Sequence, residues 1–369
     1  MPGAIIEQQH ANRMHVNGRD LVAFAGCNYL GLAHDPRVLE AVRDATGRYG
    51  LSTSASRETS GNTPAHQELE SRIASFIAGD GPHGTAGLLV PDGYTANLAA
   101  AQVLAASHRT AVIDARAHAS LADAARCAGM DVRFFGHMDA DGLSRELASV
   151  HGPALVMTDG VFTADGAVAP VRSIMSVLRD GDRLLIDDCH AFAVLGGGRG
   201  LCAQLGIDLQ SERDRIVVTT TLAKGLGGGG GVVVGDAGLI ESARRCAHAY
   251  VCTTPVSPIV ACGTLAAFEI LRSEPERLER LARNAGLLRL GMHAELDGDP
   301  SLPVPICALP VTDAESGERI AAILRERGVF VPLMAYPGGP SPWYLRMSVT
   351  SEHTAQDIGL LGAAIEELV

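Results

Sequence analysis

Several features that would define a membrane, secreted or nucleic-acid-binding protein are missing from this sequence. No stretch reaches about 18 uncharged apolar residues, so no membrane span is expected. No long cluster of basic residues offsets the net charge of −12, which argues against a nucleic-acid partner or an anionic membrane surface. The first seven residues lack a basic region followed by an apolar one, so no signal peptide is expected.

The eight cysteines show no Cys-x-x-Cys spacing and no cluster with histidines. A disulfide framework or a cysteine metal site is therefore not expected. Most of them lie in apolar stretches, which predicts buried free thiols in a reducing compartment. These absences together predict a cytoplasmic protein.

What the sequence does contain is a globular composition, with 47 % apolar and 20 % charged residues in a chain of 369. From Gly84 to Gly235 short apolar runs alternate with helical patterns, which predicts an α/β fold with a mostly parallel sheet. The clearest predicted strands are Ala86–Val90, Thr110–Asp114, Val132–Phe135, Ala154–Thr158, Arg183–Asp187 and Arg215–Lys224.

The pattern changes after Pro258, where a long helical stretch is predicted from Ile259 to about Leu296. Short strands at Val304–Leu309 and Trp343–Val349 and two helices complete a smaller α+β domain. We therefore expect three parts: an N-terminal arm and first helix over 1–45, a large cofactor-binding domain over 46–262, and a small C-terminal domain over 263–369.

Lys224 is the most informative single residue. It closes an apolar strand and precedes the glycine run Gly225–Gly231. Burial in such a place is expected to lower the pKa of a lysine and to favour Schiff-base formation with an aldehyde. A second strand ends at Asp187, and a carboxylate there can pair with a pyridinium nitrogen. The two strand ends together predict a pyridoxal 5′-phosphate (PLP) enzyme.

The glycine run also fits the string G-x-G-x-x-G of dinucleotide-binding proteins. That signal is weak here because the lysine precedes the glycines and no ribose-binding acid follows on a second strand. A Walker loop is excluded because no Gly-Lys-Ser/Thr ends the run.

The sequence resembles the α-oxoamine synthases among the fold-type I PLP enzymes, over nearly the whole chain. Six motifs occur in the family's order. They are Ser60–Glu70 with the start Ser-Gly-Asn-Thr-Pro, Ala117–Leu121, Asp159–Gly166, Asp187–His190, Thr221–Lys224 and Leu345–Met347, preceded by Asn28-Tyr29-Leu30-Gly31-Leu32. The resemblance implies a mostly parallel sheet of about seven strands in the large domain, and a homodimer with its active site at the interface.

The resemblance also implies roles for residues around the cofactor ring. Lys224 would hold PLP as a Schiff base and act as the base at the substrate Cα. Asp187, the first acid of the pattern Asp-x-x-His, would pair with the ring nitrogen. His190 would bond the phenolic oxygen, and His118 would stack on the ring. Thr163 matches a hydroxyl near that oxygen.

For the phosphate, the resemblance implies backbone amides at Gly93 and Tyr94 and the hydroxyl of Thr221. Thr253 and Thr254 match a segment that reaches the phosphate of the neighbouring subunit. Arg346 matches the arginine that holds the amino-acid carboxylate by a two-pronged salt bridge.

Three residues depart from the family pattern. Cys27 stands where many members carry an asparagine beside the substrate, and a thiol cannot make the same hydrogen bonds. Phe192 adds bulk after His190 and is expected to narrow the acyl channel. Asp92 precedes the phosphate turn, where it could cap a helix but adds negative charge.

The resemblance implies decarboxylative condensation of a small amino acid with an acyl thioester, carried by CoA or by an acyl carrier protein, to give an α-aminoketone. Two alternatives stay open at this point. One is an aminotransferase, lyase or racemase that uses no thioester, and the other is a non-catalytic partner subunit. An NAD-dependent oxidoreductase rests on the glycine string alone.

Overall fold

The structure, a computed structural model, describes residues 5–79, 84–292, 301–336 and 338–368. It contains three sheets and two groups of helices around them. The strands are β1 Ile6–His10, β2 Arg13–Val16, β3 Arg19–Ala23, β4 Thr85–Val90, β5 Thr110–Asp114, β6 Asp131–Phe135, β7 Ala154–Asp159, β8 Arg183–Asp187, β9 Ile216–Thr221, β10 Gly231–Asp236, β11 Ile306–Val311, β12 Val329–Phe330, β13 Leu333–Met334 and β14 Trp343–Ser348.

The helices pack on both faces of the largest sheet and around the smaller ones. They are α1 Pro36–Tyr49, α2 Pro64–Ala78, α3 Gly93–Leu104, α4 Ala119–Cys127, α5 Ala140–Ala148, α6 Val171–Val177, α7 Leu201–Gln204, α8 Ala237–Cys246, α9 His248–Val251, α10 Pro258–Ser273, α11 Glu276–Met292, α12 Ala314–Glu326 and α13 Ala355–Glu366. Short 3₁₀ helices lie at Leu32–His34 and Gly196–Gly198.

The central sheet has seven strands in the order β4-β10-β9-β8-β7-β5-β6. Only β10 among these strands runs against its neighbours, so the sheet is mostly parallel, as predicted. Side chains alternate between its two faces: in β8, Leu184 and Ile186 join one core cluster and Leu185 joins the other. Burial on both faces explains why these strands are continuous apolar runs in the sequence.

The carboxyl ends of the parallel strands lie along one edge of this sheet. Asp159, Asp187 and Thr221 are the last residues of β7, β8 and β9, which are adjacent. In open α/β sheets this edge is where ligands bind. The fold therefore brings three polar residues from distant parts of the chain to one place.

The smaller C-terminal part is built on the sheet β11-β14-β13 and on helices α11, α12 and α13. The N-terminal segment belongs with it: β1, β2 and β3 form an antiparallel meander, and β3 pairs with β12. Phe24 is buried in the same core cluster as Met347. This meander was expected only as an arm. The three domain limits stay predictions, and helix α10 spans the limit at residue 262.

Two predicted elements differ from those observed. Strand β9 ends at Thr221, so Lys224 lies in the turn that follows and not in the strand. The long helix after Pro258 is two helices, α10 and α11, because Pro275 cannot donate the hydrogen bond that would continue the first.

The expectation that most cysteines are buried is wrong, because only three of the eight are buried and two more, Cys27 and Cys262, are partly buried. Cys127, Cys246 and Cys252 are exposed, whereas Cys189, Cys202 and Cys307 are buried. All eight are free thiols. Within the described residues, none of the helices combines the length and the apolar character needed to cross a bilayer.

Candidate active site

A cavity of about 210 Å³ opens at the carboxyl edge of the central sheet. Eight of the residues predicted from the sequence line it: Gly93, Tyr94, His118, Thr163, Asp187, His190, Thr221 and Lys224. Four more line it without having been predicted: Ser120, Asp159, Val161 and Cys189.

Lys224 presents its amine to the cavity and lies next to His190. The distance from Lys224 Nζ to His190 Nε2 is 2.9 Å, and the other ring nitrogen, Nδ1, lies 2.7 Å from the hydroxyl of Tyr29. Burial, and then the positive charges of Lys224 and Arg346, hold the pKa of His190 well below its ordinary value. His190 is therefore a neutral imidazole, with one donor and one acceptor nitrogen.

The free amine of Lys224 does not have the lowered pKa that burial alone predicts. Burial acts to lower the pKa, but the acidic side chains around the amine outweigh it, Cys189 and Cys27 first and then Asp187 and Asp159. The pKa is therefore raised above its ordinary value. Without a covalent partner, this lysine is an ammonium ion at neutral pH.

The two adjacent acids at the end of β8 have different surroundings. The Asp187 carboxylate lines the cavity and accepts hydrogen bonds from Asn97 Nδ2 at 2.7 Å and from the Cys189 amide at 3.1 Å. The Asp188 carboxylate points away and accepts from the Leu201 amide, and burial raises its pKa to about 7. The choice of Asp187 as the group that faces the cavity agrees with this geometry.

His118 forms part of the wall of the cavity, and neighbouring groups fix its orientation. Its Nδ1 lies 2.7 Å from the Ser120 hydroxyl, and its backbone amide donates to Asp159. Burial lowers the pKa of His118, so the ring is neutral. Burial, and then the charge of Asp187, raise the pKa of Asp159 well above its ordinary value. On its other side the His118 ring stacks on Tyr336, with 5.7 Å between ring centroids.

The start of helix α3 forms a second side of the cavity. Asp92 caps the helix by accepting from the Thr95 amide at 2.7 Å, which accounts for this acid before the turn. A Cβ at Gly93 would lie 3.0 Å from Thr221 Cβ and 3.1 Å from Cys189 Sγ. A side chain there would fill the space between the helix amides and the Thr221 hydroxyl, so the glycine keeps an anion site open.

Arg346 lies in β14, near enough to His190 for its charge to lower the pKa of that residue, but it is not among the residues that line the cavity. Cys27 does not line the cavity either. Arg346 Nε donates to the carbonyl of Thr163 at 2.7 Å, and Arg346 lies beside Tyr29 and Cys27. Its Nη2 is buried and has no hydrogen-bond partner among the described residues. A buried guanidinium N–H without a partner is costly, so this atom is suited to an anionic ligand.

Some predicted residues lie elsewhere. Phe192 is buried in the main hydrophobic core, where its backbone pairs with Arg199, and it is not among the residues that line the cavity. Thr253 and Thr254 do not line the cavity of this chain either; the Thr253 hydroxyl donates to the carbonyl of Ala249, and Thr254 is exposed. Tyr94 stands at the rim and donates to Asp123.

The glycine run forms the connection between the antiparallel strands β9 and β10. A dinucleotide-binding glycine loop instead joins a strand to a helix, so this placement removes the argument for NAD. Gly227 has φ +62°, and a Cβ there would lie 2.6 Å from the Asn28 oxygen and from the Ala33 amide nitrogen. The glycines allow the backbone around Lys224 to pack closely.

Several functional residues were missed although the sequence contained signals for them. Tyr29, Ser120, Asp159 and Cys189 all lie inside or next to the motifs that carry the resemblance. The basic composition of the sequence also points to Lys224. Of the 30 lysine and arginine residues, 29 are arginine, and Lys224 is the only lysine. A chain that keeps one lysine, in a glycine-rich turn at a strand end, indicates a role that arginine cannot fill.

Comparison with known proteins identifies the family of this chain. The model of the family "Aminotransferase class I and II" matches residues 19–365. A putative 8-amino-7-oxononanoate synthase of Desulforudis audaxviator is 36 % identical, covering 98 % of this chain and 94 % of the relative. The 8-amino-7-oxononanoate synthase of Nitrosomonas europaea is 34 % identical, covering 99 % and 94 %. The structure of a serine palmitoyltransferase from S. paucimobilis with bound PLP matches with a TM-score of 0.90 and 26 % identity, covering 99 % of this chain and 93 % of that chain.

The fold is thus that of a fold-type I PLP-dependent transferase. Within that class, this chain belongs to the α-oxoamine synthases. It is an acyltransferase-type enzyme that condenses an amino acid with an acyl thioester and releases CO2, with PLP as cofactor.

The residues around the cavity fit PLP. The only lysine of the chain offers its amine inside the cavity, and a carboxylate held by two hydrogen bonds faces it from β8. Helix α3 begins at a glycine whose missing side chain leaves room for a phosphate beside Thr221. These three groups match the aldehyde, the ring nitrogen and the phosphate of the cofactor.

Proposed function

We propose that this enzyme joins a small amino acid to an acyl thioester, with Lys224 as the covalent cofactor ligand and Arg346 as the carboxylate-binding residue. PLP, held by Lys224, supplies an electron-withdrawing ring that makes the Cα–H of an amino acid acidic. The observation that carries the proposal is the placement of the single lysine and the free Arg346 Nη2 around His190.

The remaining roles follow from the contacts of each side chain. Asp187, which Asn97 and the Cys189 amide hold in place, would keep the ring nitrogen protonated. His190 would donate to the phenolic oxygen from Nε2, and His118 would lie against the ring face. Thr163, whose carbonyl anchors Arg346, would present its hydroxyl to the same oxygen as His190.

Lys224 would be the base that takes the Cα proton of the amino acid. For this role its nitrogen must be released from the cofactor as the neutral amine, without the proton that it carries in the cofactor-free protein. The guanidinium of Arg346 would bind the carboxylate through Nη2 and so orient the Cα–H toward that amine. Attack of the resulting carbanion on the acyl carbonyl would release the thiol, and loss of CO2 would leave an α-aminoketone. Cys27 lies next to Arg346, so it is the residue placed to affect which amino acid is accepted.

The proposal includes a homodimer. Thr253 and Thr254 match a phosphate-binding segment, yet in this chain they lie away from its own cavity. Their hydroxyls would reach the phosphate of the neighbouring subunit. If so, mixing the Lys224→Arg chain with the Thr253→Ala/Thr254→Ala chain should restore part of the activity, because one site of the mixed dimer is intact. No recovery after subunit exchange would contradict a shared site.

The reaction is tested by supplying the PLP-loaded enzyme with glycine, alanine or serine, each with and without acyl-CoA or acyl carrier protein thioesters. We expect free thiol and CO2 in equal amounts, only when both substrates are present. The Lys224→Arg variant keeps the charge and should produce neither.

Two results would contradict the proposal. Transfer of the amino group to a 2-oxo acid without thiol release would identify an aminotransferase. Tight binding of PLP with no turnover of any pair would favour a non-catalytic partner subunit.

A further inference from the structure

The hydroxyl of Tyr29 occupies a fixed place between two functional groups. Tyr29 is fully buried, and its hydroxyl lies 2.7 Å from His190 Nδ1. The Arg346 guanidinium and the Cys27 thiol lie on its other side. Its backbone is anchored as well, since its carbonyl accepts from the Ser351 amide at 2.7 Å. Burial raises the pKa of Tyr29 well above its ordinary value, so the group stays a phenol.

His190 links this phenol to the lysine. Its Nε2 lies 2.9 Å from Lys224 Nζ, so Lys224, His190 and Tyr29 form one chain of hydrogen bonds. The imidazole is fully buried and neutral, and it therefore carries its proton on one nitrogen at a time. The nitrogen that carries the proton must donate to its neighbour, and the other nitrogen must accept, so the hydrogen-bonding roles of Lys224 and Tyr29 decide the tautomer.

The neighbours of His190 require one tautomer in the cofactor-free protein and the other tautomer when the cofactor is bound. An ammonium only donates, so when Lys224 is charged, Nε2 must accept, and Nδ1–H must donate to the Tyr29 oxygen. When the lysine nitrogen holds the cofactor, it carries no ammonium proton. His190 Nε2 must then donate a hydrogen bond to the phenolic oxygen of the cofactor. Nδ1 then accepts, and Tyr29 O–H must donate to it. A phenol can do both, since it is a donor and an acceptor.

The other neighbours of Tyr29 make the exchange possible. A guanidinium only donates, so Arg346 approaches the lone pairs of the phenol oxygen and leaves its proton for another partner. That partner is His190 Nδ1 in one state and the Cys27 sulfur, a weak acceptor, in the other. The change moves one proton from Nδ1 to Nε2 and leaves the charge of His190 unchanged.

We infer that Tyr29 is a positioning residue that sets the tautomer of His190 to match the state of Lys224. The lysine can then exist as the free ammonium and as the cofactor ligand without leaving a buried polar group unsatisfied. Because Tyr29 also touches Arg346, the same hydroxyl connects the carboxylate-binding side of the site with the lysine. The inference rests on the proposed role of Lys224, but its first test uses the cofactor-free protein.

The single lysine makes that test unusually clean. Protein grown with lysine labelled with ¹³C at Cε and ¹⁵N at Nζ gives one side-chain resonance, whose shift follows the protonation of Lys224. We expect the pKa of Lys224 to fall in Tyr29→Phe, because an ammonium would then force His190 Nδ1–H to remain without an acceptor. The groups that also face this amine, Cys27, Cys189, Asp187 and Asp159, are unchanged.

Tyr344→Phe is the matched control. Tyr344 is also fully buried, but its hydroxyl has no hydrogen-bond partner among the described residues, so its loss should leave the titration of Lys224 as it is. An unchanged pKa of Lys224 in folded Tyr29→Phe would overturn the inference, and so would an equal fall in the control.

A second measurement is made on the parent protein, and a variant serves only to assign its signals. The ¹⁵N shifts of the His190 ring, assigned through the loss of its signals in His190→Asn, report which nitrogen carries the proton. We expect Nδ1–H in the cofactor-free protein and Nε2–H after PLP is added. The same tautomer in both states would overturn the inference even if the enzyme catalyses the proposed condensation.

Cofactor affinity provides the third readout. Tyr29→Phe should bind PLP roughly tenfold more weakly, since Nδ1 loses its donor in the loaded state. Unchanged affinity in Tyr29→Phe would contradict the role of the hydroxyl. If PLP fails to bind the parent protein, the proposed function fails, and the titration of the cofactor-free protein still tests Tyr29.

Discussion

Asn97 and Asp187 are joined by a hydrogen bond of 2.7 Å from Nδ2 to Oδ2, although 90 positions separate them in the chain. The same Nδ2 donates to the Ser120 hydroxyl at 2.9 Å, and Oδ1 accepts from Thr219 at 2.5 Å. Ser120 in turn contacts His118. One buried amide thus holds both the carboxylate proposed for the ring nitrogen and the hydroxyl that contacts His118, the imidazole expected against the ring face.

The first prediction concerns this amide. Asn97→Ala should weaken PLP binding roughly tenfold, because Asp187 loses a donor and the hydroxyls of Ser120 and Thr219 each lose one of their partners. Absorbance titration with PLP measures the effect. Asn284→Ala is the control, since Asn284 is equally buried but bonds the carbonyls of Thr350 and His353 in the small domain. The idea fails if both variants bind PLP as tightly as the parent.

The second prediction uses the fact that Lys224 is the only lysine. Reduction of the PLP-loaded protein with borohydride should attach one cofactor per chain, and Lys224→Arg should abolish the label completely. No other side-chain amine exists to take it up, so intact-mass analysis gives a yes-or-no answer. A stoichiometric label that survives in Lys224→Arg would place the cofactor on the α-amino group and exclude Lys224 as its ligand.

The third prediction concerns Arg346. Arg346→Lys keeps the charge but loses the planar pair of donors, and should raise the KM for the amino acid roughly 30-fold or more. The KM for the acyl thioester should stay within about twofold, because this contact is made to the carboxylate. Arg319→Lys, on an exposed helix face of the small domain, is the matched control. A larger rise in the thioester KM than in the amino-acid KM would contradict the assignment.

The parts of the fold that could be predicted are those with a strong local signal. Strands such as β5 and β8 are short, fully buried runs between helices, and their predicted limits agree with the observed ones. The meander β1–β3 lacked such a signal because β1 is exposed along its whole length and β2 only partly buried. Strand β10 was not predicted, because it directly follows the glycine run, and glycines have a low preference for strands.

Some residues of the candidate site could likewise be predicted from the sequence, and others could not. Lys224, Asp187 and His190 could be predicted because they end or follow buried strands. Tyr29 and Asn97 could not be given roles, since their partners lie 161 and 90 positions away and neither pattern nor spacing reports such contacts. The raised pKa of Lys224 was missed for a similar reason: burial was visible in the sequence, but the acids gathered around the amine were not.

The last prediction concerns stability in acid. His353 is buried, with Nδ1 accepting from the Thr350 amide at 3.0 Å and Nε2 donating to the Ala23 carbonyl at 3.2 Å. Burial lowers its pKa from 6.5 to about 4, because the charged imidazolium would lose its hydration in the core. The unfolded chain, in which this histidine has its ordinary pKa, therefore binds more protons than the folded one between these two values.

Because the unfolded state binds more protons, the free energy of unfolding decreases as the pH falls through this range. The stabilising contribution of neutral His353 is complete above about pH 6.5 and is lost as the pH falls toward 4, by on the order of 3 kcal/mol. His353→Gln should flatten the fall in the free energy of unfolding over this range, as urea denaturation at pH 7 and pH 5 would show. His15→Gln is the control: His15 is only partly buried, and a hydrogen bond with Asp20 raises its pKa, so its loss should not reduce the acid sensitivity. An identical pH dependence in His353→Gln and the parent would show that this histidine does not contribute to the loss of stability.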